Sequence, residues 1–73
     1  MPIKITPQNV SQDDPTHFSV EASTLGLKPG EWPEEFETGF GNGASFLWVS
    51  TWPDGTHVYR QRHSGLLLII FND

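Results

Sequence analysis

Ala44-Ser45-Phe46-Leu47-Trp48-Val49-Ser50-Thr51, then Trp52-Pro53-Asp54-Gly55, then Thr56-His57-Val58-Tyr59-Arg60-Gln61-Arg62 reads as strand, turn, strand. The aromatic and β-branched residues on either side suit a pleated, half-buried surface. In the turn, proline presets φ at the second position, aspartate suits the third, and glycine accepts the left-handed conformation that follows. That order predicts a three-residue hairpin loop with a glycine bulge, flanked by Trp52 and Thr56. Counting outward pairs Thr51 with His57, Ser50 with Val58, Val49 with Tyr59, Trp48 with Arg60, Leu47 with Gln61 and Phe46 with Arg62.

Upstream, Asn42-Gly43 is a strong two-residue hairpin signal. It pairs Phe40 with Ser45, Thr38 with Leu47, Glu37 with Trp48 and Phe36 with Val49. Side chains alternate across a strand, so these pairs assign faces. Phe36, Thr38, Phe40, Leu47, Val49, Tyr59 and Gln61 form the expected core face. Glu35, Glu37, Phe46, Trp48, Val58, Arg60 and Arg62 form the other, with acid, aromatic and base side by side in the row Glu37, Trp48, Arg60. Downstream, the turn His63-Ser64-Gly65 leads into Leu66-Leu67-Leu68-Ile69-Ile70-Phe71. A one-residue slip in that turn exchanges the faces of the last strand. Because this strand is apolar on both sides, both faces need cover. The N-terminal segment, curling of the sheet or a second copy of the chain would supply it.

Seventy-three residues make one domain, spanning 1–73, with 1–15 read as a loose N-terminal arm. A chain this short buries only about 60% of its unfolded surface. It has no cysteine, so neither disulfides nor thiolate metal sites reinforce it. Oligomerisation is one remaining way to enlarge the core. Met1-Pro2-Ile3-Lys4 lacks the apolar stretch of a signal peptide, and the longest apolar run, residues 66–71, is far below the roughly 20 residues of a membrane helix. The expected location is the cytoplasm. Net charge is −5, concentrated in residues 1–40, where two lysines face seven acids. This disfavours general nucleic-acid binding, which rests on neutralising phosphates, and docking on an anionic membrane.

In chain order, Ile3-Lys4-Ile5 is a short strand or part of the arm, and residues 7–15 are a polar loop whose Asp13-Asp14 pair is a solvated turn. Residues 16–22 alternate, with Phe18, Val20 and Ala22 on one side. Ser23-Thr24-Leu25-Gly26 predicts one helical turn capped by Ser23 and stopped by Gly26. Lys28-Pro29-Gly30-Glu31 predicts a type II turn, and Trp32-Pro33 is extended. Residues 34–40 supply a further strand. Glu21-Ala22-Ser23-x-Leu25-Gly26-x-x-Pro29-Gly30-x-Trp32-Pro33, with the terminal Ile70-Phe71-Asn72-Asp73, resembles a group of short uncharacterised bacterial proteins. The resemblance covers residues 18–73. It implies a bacterial origin and a stand-alone small protein, and it brings no activity, ligand or catalytic residue.

Each candidate site has a competing structural explanation. His57 and His63 lie about 20 Å apart along one strand and, with His17, show no ligand spacing. Ser50, Asp54 and His57 share a hairpin end, but Ser50 and His57 project from opposite faces and Asp54 belongs to its turn. Gly39-x-Gly41-x-Gly43 precedes a strand, whereas a phosphate loop precedes a helix. Trp32, Trp48 and Trp52 suit buried or interface positions better than a sugar platform. Glu31, Glu34, Glu35 and Glu37 read as a charged edge that blocks strand addition, or as a docking face for a basic partner.

The expected fold is all-β: an antiparallel meander of about five strands (16–22, 34–40, 44–51, 56–62 and 65–71), strongly twisted or rolled into a small open barrel. The expected function is a non-catalytic protein-interaction module that associates with itself or a protein partner through Phe46, Trp48, Arg60, Arg62, Leu68 and Glu37. No cofactor, metal, small-molecule ligand or membrane enters this reading. The alternative is a single-stranded nucleic-acid binder that stacks bases on Trp48 between Arg60 and Arg62.

Overall fold

The loop at residues 52–56 forms as its residues dictate. The Gly55 N–H donates to the Trp52 carbonyl at 3.0 Å, the Trp52 N–H donates to Thr56 at 2.8 Å, and Gly55 takes φ +92°. The Asp54 carboxylate accepts the Thr56 N–H at 2.9 Å. A computed structural model describes this loop together with the rest of residues 4–28 and 32–72. The turn expected at Lys28-Pro29-Gly30-Glu31 falls largely outside those residues.

Among the described residues there are seven strands: β1 Lys4–Ile5, β2 Ser11–Asp14, β3 His17–Glu21, β4 Glu35–Thr38, β5 Phe46–Thr51, β6 His57–Gln61 and β7 Leu67–Phe71. They form one all-β sheet in the order β1-β4-β5-β6-β7-β3-β2. Three findings correct the expected five-stranded meander. The N-terminal segment supplies two strands: β1 is the short-strand alternative at Lys4-Ile5, and β2 replaces part of the expected polar loop. Two contacts are parallel, β1 with β4 and β3 with β7, so the sheet is mixed. The antiparallel β4–β5 and β5–β6 ladders also differ in register from the counted pairs.

The register changes have local causes. Asn42-Gly43 does not close a two-residue hairpin. Gly41 and Gly43 take φ +66° and +77°, while Asn42 stays at negative φ and its amide donates to the Arg62 carbonyl. The Asn42 side-chain oxygen also accepts the Ala44 N–H at 2.9 Å. Residues 39–45 therefore form a longer loop, and Phe36 pairs with Phe46 instead of Val49. Between β5 and β6, Thr51 and Ser50 keep their counted partners, His57 and Val58. A bulge between Trp48 and Ser50 then adds one residue, so Trp48 faces Tyr59, Leu47 faces Arg60 and Phe46 faces Gln61.

These shifts place Phe46 on the core face and remove Leu47 and Val49 from it. The core cluster is Ile5, Phe18, Val20, Ala22, Phe36, Phe46, Tyr59, Leu68 and Ile70. Phe36 meets the edge of Tyr59 at 4.8 Å between ring centroids, and Phe40 bridges Phe18 and Phe46 at 4.7 and 5.9 Å. The sheet curls around this cluster. A flat sheet would hold its outermost strands, β1 and β2, about 29 Å apart across six inter-strand steps. The chain from Ile5 to Ser11 spans at most about 21 Å when extended. It also contains a turn, with the Asn9 N–H on the Thr6 carbonyl at 3.1 Å. The two edges are thus drawn toward each other, and the sheet becomes a half-barrel.

After β3 comes a 3₁₀ turn, Ala22–Leu25, ended by Gly26 at φ +74° as its sequence suggests. Its cap position is Glu21, two residues before the expected Ser23, and no side chain caps it. The final hairpin closes through Gln61 and Leu66, with His63 and Gly65 at positive φ.

Candidate functional site

The six residues expected to form one interaction surface are divided by the sheet. Phe46 and Leu68 are fully buried in the core, so neither contributes to a docking surface. The bulge in β5 and the longer 39–45 loop turned Phe46 inward. Leu68 is inward because it pairs with the core residues Tyr59 and Phe18. Glu37, Trp48, Arg60 and Arg62 are exposed. The expected row of Glu37, Trp48 and Arg60 is absent, however: Glu37 aligns with Lys4 of β1, Trp48 with Tyr59, and Arg60 with Leu47 and Leu67. Trp48 lies on the Tyr59 side of the sheet and Arg60 on the opposite side. The stacking platform of the nucleic-acid alternative is not assembled.

The outer side of the sheet carries a different surface. Residues directly paired across a ladder share a face. The register therefore gives one outer row of Leu47, Arg60, Leu67 and His17, and a second of Ser50, Val58, Ile69 and Ser19. Phe71 and Glu21 follow at the end of β7 and β3. None of Leu47, Val58, Leu67, Ile69 and Phe71 belongs to the core cluster, although Val58 is itself buried. Phe71 is 44% exposed. An open hollow of about 330 Å³, bordered by Phe71, Ser19 and Glu21, continues this face toward β2.

The concave side has an aromatic and polar rim. The Trp48 indole N–H donates to Thr51 Oγ1 at 3.0 Å, and that oxygen lies 2.7 Å from His57 Nδ1. The Trp32 ring covers the imidazole at 3.8 Å between centroids. Burial pushes the His57 pKa down, so the ring is neutral at neutral pH. Trp48 and Trp52, at 48% and 47% exposure, stand out at this end.

The acidic residues at the turns are engaged in backbone geometry. Asp14 accepts the Thr16 hydroxyl and N–H, both at 2.6 Å, and the His17 N–H at 3.0 Å, while His17 Nδ1 lies 2.7 Å from its other oxygen. The Thr16 bonds lead in holding its carboxyl below the usual range. The Thr56 N–H does the same for Asp54. Ser50 and His57 lie on opposite faces, so Ser50, Asp54 and His57 do not converge. Among the described residues no three histidine, aspartate or glutamate side chains gather as metal ligands, and no helix is long and apolar enough to cross a membrane.

Gln61 is the residue whose role the sequence reading missed. Fully buried, it donates to the Phe40 and Ala44 carbonyls at 3.1 and 2.8 Å and accepts from the Ser64 hydroxyl. Gly41 packs directly on its carbonyl oxygen, where a Cβ would collide. The available signal was a lone amide on a core face whose other members, Thr38 apart, are apolar or aromatic. Comparison with known protein families, curated proteins and solved structures finds no match to this chain.

Proposed function

We propose that this chain is a non-catalytic protein-interaction module that associates with a second copy of itself through the outer face of β6 and β7. One observation carries the reading: Leu67, Ile69 and Phe71, none of them buried, form a run of outward apolar positions on β7 outside the core cluster, with Val58 paired beside Ile69. Contiguous apolar surface on a small domain commonly marks an association site. Arg60 sits within this face, between Leu47 and Leu67, while His17 and Glu21 of β3 border it. The short chain supports self-association as well, since pairing adds core to a domain that buries little of its own.

Sedimentation velocity over a wide concentration range tests this reading, with Ile69→Glu as the variant. The parent is expected to sediment as a dimer. The variant is expected to remain folded by circular dichroism and to sediment as a monomer. A parent that stays monomeric throughout, or a folded variant that associates like the parent, refutes the assignment.

A further inference from the structure

The concave rim holds a second surface, on the opposite side of the sheet from β7's outer face. Extending the β4–β5 register by one pair sets Glu34 opposite Trp48, and the Trp48 backbone N–H donates to the Glu34 carbonyl at 2.8 Å. Opposed residues of antiparallel strands share a face, with Cβ atoms about 4.5–5.5 Å apart. Both side chains are exposed. The Trp48 ring is also fixed, because its N–H is bound to Thr51, whose oxygen contacts His57 beneath Trp32. An exposed indole held by a chain of contacts is preorganised, so little ordering remains to be done on binding.

With its N–H engaged, the exposed Trp48 ring has its π face to offer, and the exposed Glu34 projects from the position paired with it. Both attract a cation. Among the described residues no lysine or arginine is ion-paired to a carboxylate or stacked on an aromatic ring, so no cation of this chain occupies the position.

We propose that Trp48 and Glu34 form a docking site for an arginine or lysine side chain on a basic peptide segment of a partner protein. The net charge of −5 and the neighbouring Glu35 and Glu37 steer such a segment toward the rim. Trp52 provides a second exposed ring on the same hairpin. Trp52 follows Trp48 by four positions, about 13 Å of extended chain, which a short extended peptide spans and a free small cation does not.

Fluorescence anisotropy of a labelled, end-blocked peptide of alternating arginine and glycine reads this site at low salt. Glu34→Gln and Glu35→Gln remove the same charge from adjacent residues, Glu34 just before β4 and Glu35 at its start, whose side chains alternate in direction. Glu34→Gln and Trp48→Leu are each expected to weaken binding about threefold to fivefold, with Glu35→Gln closer to the parent. The glutamate–glycine peptide is expected not to bind. If Trp48→Leu fails to fold, the two glutamate variants still decide the matter. Equal losses in those two variants mean general steering and overturn the site. So does absence of binding, or parent-like binding by folded Trp48→Leu. Competition by tetramethylammonium as effective as that of unlabelled peptide overturns the assignment to a peptide.

Discussion

Tyr59 is the only tyrosine in the chain, is fully buried, and donates its hydroxyl to the Pro33 carbonyl at 2.6 Å. Burial pushes its pKa up from 10.0 to about 12. A group with a raised folded pKa contributes stability that is complete below its unfolded value and is lost as pH rises through the folded one. The window here runs from about pH 10 to 12, and a shift of this size corresponds to about 2–3 kcal/mol. Phenolate absorbance of the native chain should therefore titrate well above pH 10, and at 10 once denaturant is added. An unshifted native midpoint contradicts the burial. Tyr59 was legible as a core residue from alternation alone. Its hydrogen bond was not, because nothing in the sequence carries Pro33 across the sheet. Gln61 teaches the same lesson: its inward direction could be counted, but its partners lie in loops whose paths depend on Gly41 and Asn42.

Strands and turns were legible where local chemistry decides them, and the 52–56 loop is the clearest case. Gly55 has a second constraint there, since a Cβ would lie 2.5 Å from the Asn72 side-chain nitrogen. Gly26 has a similar positive φ but nothing within 4 Å of its would-be Cβ. Backbone strain at either site should cost about 1–2 kcal/mol on substitution by alanine. Gly55→Ala should lower the melting temperature more than Gly26→Ala, and Asn72→Ala should return part of the difference. Equal losses from the two glycines would mean that the Asn72 contact has no energetic weight. The β5 bulge was not legible, because Trp48, Val49 and Ser50 fit a regular strand equally well, yet one extra residue exchanges Leu47 and Phe46 between faces. Strand β2 was missed for a different reason. Ser11-Gln12-Asp13-Asp14 is polar and almost wholly exposed, and main-chain pairing to β3 holds it where no apolar alternation could announce it.

The mixed topology follows from contacts between distant parts of the chain. β7 pairs on one side with β6, its hairpin neighbour, and on the other with β3 in parallel, so the last strand lies inside the sheet. Its continuous apolar run signalled two covered faces, and curling of the sheet covers one of them. Leu68 and Ile70 point into the half-barrel, whereas Leu67, Ile69 and Phe71 point out toward the proposed interface. Everything inferred about association depends on that division. Leu67 and Leu68 test it most directly, being adjacent, chemically identical and assigned to opposite faces. Thermal unfolding of Leu67→Ala and Leu68→Ala should be compared in dilute solution, where association does not contribute. The division predicts a loss of about 2–5 kcal/mol for Leu68→Ala and no more than about 1 kcal/mol for Leu67→Ala. Equal losses, or a larger loss at Leu67, would contradict it.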